Sequence, residues 1–104
     1  MAYELIFSAL ADPTRRALFE ALSQCPQSVG VLARKVPVSR PAVSQHLKVL
    51  TDAGLVTMQP KGRSNIYAVR RAGLTEVRAY LDRLWEDVLS DFASEIESRK
   101  AGLE

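Results

Sequence analysis

No stretch constrains this chain more than residues 36–55, V-P-V-S-R-P-A-V-S-Q-H-L-K-V-L-T-D-A-G-L. Ser39 is an N-cap residue, and Arg40-Pro41 fills the first turn, where the N–H that proline lacks has no intrahelical partner anyway. Val43, Leu47 and Leu50 recur at i, i+4, i+7, the buried stripe of a helix, and Gly54 supplies the left-handed residue that ends one. This pattern predicts a helix over residues 39–53. The rest of its surface carries Arg40, Ser44, Gln45, His46 and Lys48, with Asp52 as the one carboxylate, at the far end. Such side chains donate and accept hydrogen bonds at base edges and phosphates, so the helix suits a DNA major groove. A merely solvated helix face has the same composition, and the neighbouring sequence decides between the two.

Upstream, residues 1–10 place Leu5, Ile6, Ala9 and Leu10 on one helical stripe. Asp12-Pro13 then provides an N-cap and a proline at the first helical position. Ala17, Leu18, Ala21 and Leu22 make the apolar face of a second helix that ends near Ser23 and is closed by Cys25-Pro26. Ser28 caps a third, short helix with Val29, Leu32, Ala33 and Val36 at i, i+3, i+4, i+7, stopped by Pro37, which disfavours the helical conformation at Val36. Gly30 inside it costs about 1 kcal/mol relative to alanine. Two amphipathic helices separated by a tight turn at Pro37-Val38 form a helix-turn-helix, whose second helix enters the groove. Residues 55–59 read as a strand, Pro60-Lys61-Gly62-Arg63 as a turn, and residues 64–69, with Ile66, Tyr67 and Val69, as a returning strand. A basic-tipped hairpin directly after the groove helix makes this a winged helix. The expected fold is mainly α with a small β-hairpin, in the order α-α-α-α-β-β-α.

Charge is divided along the chain. Between Pro13 and Arg71 ten basic residues face two acidic ones, Glu20 and Asp52, whereas from Ala72 onward four basic residues face eight acidic ones. A basic middle flanked by acidic ends points to a polyanion bound by the middle, with the ends given another task.

That other task is legible from Leu74 onward. Leu74, Val77, Leu81, Leu84, Val88, Phe92 and Ile96 repeat close to the heptad pattern, Tyr80, Trp85 and Leu89 widen the stripe, and Gly102 is the first breaker beyond it. A helix of about 25 residues is roughly 37 Å long, more than a domain of this size covers. Part of the stripe therefore packs on its own core and part on a second subunit. The expected dimer interface comprises Leu5 and Ile6, with Phe7 beside them, and Leu74, Val77, Leu81, Leu84, Trp85, Val88 and Phe92. The whole chain, 1–104, reads as one domain, with residues 1–10 and 74–98 as its dimerisation helices.

Several functions are disfavoured on composition. With one cysteine, Cys25, and one histidine, His46, the chain holds no internal disulfide and too few soft ligands for a zinc site. It has no phosphate-cradling glycine loop and no nucleophile elbow, so no enzyme and no cofactor are expected. With neither a long apolar run nor a basic-then-apolar leader, the expected location is the cytoplasm, with no membrane partner. Asp82, Glu86, Asp87 and Asp91 read as a solvated acidic face rather than an ion site, Cys25 as packing rather than a redox switch, and Trp85 as dimer core rather than a pocket wall.

The runs L-A-D-P-T-R-R-A-L-F-E-A-L (10–22), V-S-R-P-A-V-S-Q-H-L-K-V-L-T-D-A-G-L-V (38–56) and G-R-S-N-I-Y (62–67) together resemble the ArsR family of bacterial winged-helix repressors. The resemblance spans roughly residues 3–95. It implies a homodimer joined through its first and last helices that binds an inverted repeat in an operator and blocks transcription. By position, Ser39, Arg40, Ser44, Gln45 and, at the edge of the set, His46 face the bases, while Lys48, Lys61 and Arg63 face phosphates; Ala42 completes the DNA-binding set. Arg15 and Arg16 flank either the DNA or the dimer interface. Metal-sensing members carry thiols where this chain has Ser28-Val29-Gly30-Val31-Leu32-Ala33, or histidines on a last helix that here has none. The chain thus resembles the branch without a metal sensor, regulated by expression level or by a partner protein. The alternatives are a winged helix serving as a protein-interaction module, or a repressor released by an unrecognised ligand or by oxidation of Cys25. The module would place apolar side chains on the outer face of the groove helix, and the sequence places polar ones there.

Overall fold

A computed structural model describes residues 2–102. Met1, Leu103 and Glu104, which the sequence reading included in the first helix and in the single domain, lie outside the described residues. The chain runs α1 (Ala2–Ala11), α2 (Pro13–Gln24), β1 (Gln27–Ser28), α3 (Val29–Ala33), α4 (Arg40–Asp52), β2 (Val56–Lys61), β3 (Ser64–Val69) and α5 (Arg71–Gly102). The expected order holds except for β1, a two-residue strand that makes the wing a three-stranded antiparallel sheet in the order β1-β3-β2. β1 pairs Gln27 with Tyr67 and Ser28 with Ile66. Two residues are too short for an alternating pattern, so only the partner strand reveals this one.

Local signals set most helix ends. Asp12, Ser28 and Ser39 cap α2, α3 and α4, each side chain accepting from the N–H three residues on. At the far end of α4, Leu55 N donates to Leu50 O and Gly54 N to Thr51 O, both at 3.0 Å, with Gly54 at φ +80°. This is the paired C-terminal bonding that needs a left-handed residue just after the cap. Helix α3 ends three residues earlier than its apolar spacing predicts. Arg34 N and Lys35 N turn back to Val31 O and Leu32 O, so the chain tightens before Pro37 acts. Val36 and Val38 still pack against the core from the connection that follows.

The wing also differs from expectation. Pro60 and Lys61 belong to β2, opposite Asn65 and Ser64, which leaves Gly62-Arg63 as a two-residue loop. Gly62 has φ +62° and no non-glycine residue among those described has a positive φ, the pattern of a type II′ hairpin turn. Proline is tolerated because β2 is an edge strand of the sheet.

The core lies where α1, α2, α3 and α4 meet the base of the wing. Ile6, Leu18, Leu32, Val43, Leu47, Leu50, Leu55 and Val56 are its fully buried large side chains. Helix α5 begins three residues before Leu74 and extends past residue 98. Its 32 residues correspond to roughly 48 Å and give the molecule a 73 Å long axis. It leaves the body tightly: a Cβ at Gly73 would collide with the Gly54 carbonyl oxygen, so only glycine lets α5 start against the α4–β2 turn.

Candidate nucleic-acid interface

Helix α4 buries Val43, Leu47 and Leu50 and presents Arg40, Ser44, Gln45 and Lys48 to solvent. Ser39 is exposed but its hydroxyl is engaged as the cap, accepting from Ala42 N at 3.3 Å. Ala42 and His46 are half-buried. His46 is therefore less open to solvent than its neighbours Ser44 and Gln45 on the same helix. Lys48 pairs with Asp52 at 3.3 Å, but both side chains are about two-thirds exposed, and a pair in that setting contributes little. It leaves the ammonium free to exchange one anion for another.

The wing stands beside α4. An open, polar cleft of about 410 Å³ lies between the start of α3, the first turns of α4 and the wing, lined in part by Ser28, Arg40, Ser44, Arg63 and Asn65. Ser44 and Arg40 of the groove helix are thereby brought together with Arg63 of the turn. Lys61 sits one rung back from the tip, exposed on the edge strand.

The two arginines that sequence left unassigned separate here. Arg15 donates from Nε to Ala9 O at 2.7 Å and from Nη2 to Ser8 O at 3.3 Å, so it closes the end of α1. Arg16 remains exposed on α2. Two other basic side chains of the middle region are also tied to the chain. Lys35 Nζ donates to Gln27 Oε1 at 2.6 Å, and Arg70 Nη1 to Gly54 O at 3.3 Å. The buried Gln27 completes its own set by donating to Ala21 O at 2.7 Å and Cys25 O at 3.1 Å. Asp12 accepts from Arg15 N at 3.0 Å, and that bond holds its carboxyl below the ordinary value, helped by the nearby positive charge of Arg15 and His46.

The apolar face predicted for the terminal helices is present, with one correction. Ile6 is 1% exposed: with Ala9, three residues on, it shares the side that α1 turns to the core, so it is unavailable to a partner. Val77 is half-buried against the same core and anchors α5 to the body. Leu5, Leu74, Leu81, Leu84, Trp85, Val88 and Phe92 are exposed as expected, Trp85 by 63% and Phe92 by 60%, and Phe7, Leu89 and Ile96 join them. Tyr80, stacked on Tyr3 at 4.5 Å and edge-on to Phe7 at 5.8 Å, joins α1 to α5 and makes their exposed faces one surface. Among the described residues no three His, Cys, Asp or Glu side chains form a group able to hold a metal ion, and no helix is long and apolar enough to cross a membrane. Cys25 is exposed beyond the end of α2 instead of packed. It borders a second cleft of about 370 Å³ shared with Leu22, Val69 and Leu74.

The comparisons with known proteins agree with this geometry. A family model described as a helix-turn-helix domain matches residues 10–59. The chain is 51% identical over 92 residues to the HTH-type transcriptional regulator Rv2034 of Mycobacterium tuberculosis, covering 88% of this chain and 86% of that protein. It is 30% identical over 71 residues to the transcriptional repressor SdpR of Bacillus subtilis, covering 68% of this chain and 79% of that one. Among solved structures, an ArsR-like transcriptional regulator from Rhodococcus sp. RHA1 superimposes with a TM-score of 0.80 at 32% identity, over 89% of this chain and 88% of that chain. Sequence, wing and groove helix thus converge, and the chain belongs to the ArsR family of winged helix-turn-helix transcriptional regulators.

Proposed function

We propose that this regulator is a homodimeric, sequence-specific DNA-binding repressor that acts by occupying an inverted-repeat operator. The observation that carries the reading is the exposed, polar outer face of α4 standing beside a wing whose turn holds Arg63, with one cleft joining the two. Ser44 and Gln45, exposed midway along α4, are the base readers, while Lys48, Lys61 and Arg63 supply charge toward phosphates. A second copy covers the continuous apolar surface of α1 and α5, an exposure that isolated soluble proteins rarely carry. Two-fold symmetry then presents two copies of α4 to successive major-groove faces roughly 34 Å apart.

Repression needs no chemical step, since a dimer seated on its operator excludes polymerase by occupancy. The reading therefore assigns no catalytic residue and no cofactor. It treats residues 1–104 as one unit acting on DNA in the cytoplasm, with its terminal helices as the dimerisation elements. No thiol stands in residues 28–33 and no histidine on α5, so it also assigns no metal.

Selection of bound duplexes from a random DNA pool by the purified protein, with and without divalent metal and oxidant, tests it. The expected product is an inverted repeat with half-sites about one helical turn apart, recovered equally under all conditions. Salt-sensitive binding with no recovered sequence would overturn the sequence-specific reading. Loss of the repeat on adding metal or oxidant would overturn the absence of a sensor, with exposed Cys25 the first residue to test under oxidant.

A further inference from the structure

Arg40, expected among the residues that face the bases, lines the cleft between α3, α4 and the wing. It occupies the first position of α4, and side chains there lean back toward the helix N-terminus. Its guanidinium lies against Gly30 of α3, with both terminal nitrogens 3.8 Å from where a Cβ of that glycine would be. A Cβ there would meet the guanidinium at ordinary van der Waals distance, so the contact places Arg40 beside α3 without itself requiring glycine.

On the other side of the same cleft stand Arg63 and Asn65 of the wing, with Ser28 and Ser44 between, and no aspartate or glutamate is among the residues lining it. The ion pairs among the described residues, Lys48–Asp52, Arg78–Asp82 and Glu95–Arg99, lie elsewhere. Two guanidinium groups on one acid-free cleft repel each other until an anion separates them. A fork of donors on each side suits phosphate oxygens.

We infer that Arg40 and Arg63 grip a single backbone phosphate of one DNA strand between them, so that this cleft sets the angle between the groove helix and the wing, and Arg40 positions rather than reads. The inference rests on the DNA-binding reading above. It differs from a general basic surface in one countable respect: the two arginines share a phosphate instead of each neutralising its own. Each phosphate contact contributes close to one unit to the slope of log affinity against log salt.

The test measures that slope for the wild-type protein and for Arg40→Ala, Arg63→Ala and the double variant. Each is measured on the selected operator and on a random duplex, with sequence selection repeated for Arg40→Ala. Both substituted side chains are exposed, so the fold is retained. Because either arginine left alone still neutralises the shared phosphate, each single variant is expected to weaken binding while lowering the slope by well under one, and the double variant to lower it by about one, with equal loss on both duplexes and an unchanged recovered sequence. A double-variant drop of about two means separate phosphates and overturns the shared seat. A changed base preference at one position makes Arg40 a reader, and a double-variant slope equal to that of the wild type leaves the cleft empty; either overturns the inference while wild-type binding stands. If the wild-type protein recovers no sequence, the DNA reading falls first and the seat with it. Inorganic phosphate is the control anion: saturable binding of it to the free protein, lost in Arg40→Ala while operator binding is unaffected, would assign the cleft to a free anion and overturn the DNA seat.

Discussion

The body of the molecule and the outer length of α5 solve opposite problems. Among the described residues, every fully buried large side chain lies between Ile6 and Val56, where four helices and the base of the wing close over one another. From Leu81 onward every α5 residue whose burial is described is exposed, although the apolar stripe continues through Leu84, Trp85, Val88, Phe92 and Ile96. The outer helix has little intrachain support beyond exposed i,i+4 pairs such as Glu95–Arg99 at 2.7 Å, each worth a few tenths of a kcal/mol. The body is finished within one chain, and α5 is finished by a second one in the homodimer proposed here. Stability of the fold and formation of the assembly should therefore respond to different substitutions.

The most damaging change to the assembly is Leu84→Asp. It would bury an unpaired charge twice in a two-fold interface, a cost of several kcal/mol. Light scattering should report monomers with little operator affinity, while the near-UV signal and thermal transition of the body persist. A surviving dimer would place the seam elsewhere on the chain. The converse experiment is Leu47→Ala, a truncation in the fully buried core, expected to cost about 2–5 kcal/mol of unfolding free energy in denaturant without lowering the mass of the folded protein. If the dimer dissociated in step with that loss, the division between the two regions would fail.

Gln45→Ala touches neither core nor seam. On the operator it should cost about 1–3 kcal/mol and flatten preference at one base position, as read by repeated selection. Unaltered preference would remove Gln45 from the readers. The smallest effect belongs to Asp12, whose carboxyl is held below its ordinary value by the Arg15 N–H. A carboxyl with a folded pKa below its unfolded value of about 3.9 contributes stability that is present above that value and is lost as pH falls through the folded one. Asp12→Asn keeps an N-cap acceptor and removes the titration, so the acid limb of the stability profile should flatten slightly below about pH 4. An unchanged limb would show that other carboxylates control it.

Features that depend on a few consecutive residues were legible in the chain itself. The Ser39 cap, the Val43, Leu47, Leu50 stripe and the Gly54 stop reproduce α4 to within one residue at each end. The hairpin was legible too, although its turn shrinks from four residues to Gly62-Arg63, because pairing with β3 draws Pro60 and Lys61 into the strand. The directions of individual side chains were less legible. Leu5 and Ile6 are neighbours on an apolar stripe, and nothing local says that Ile6 turns inward while Leu5 stays 60% exposed.

The amino-acid order alone determined the winged helix-turn-helix, the basic middle with acidic ends, and the long apolar stripe of the last helix. Caps, breakers and periodic burial act over one or two turns, and charge is additive along the chain. Tertiary structure alone decided where long polar side chains go. Arg15 closes α1 six and seven residues behind it, Lys35 braces Gln27 within the strand that sequence did not reveal, and Arg40 lies over Gly30 at the edge of the cleft that Arg63 lines from the wing. An arginine or lysine has the reach to serve backbone, carboxylate or DNA alike. Which of these it meets depends on elements that are distant in sequence and adjacent only once the core has closed.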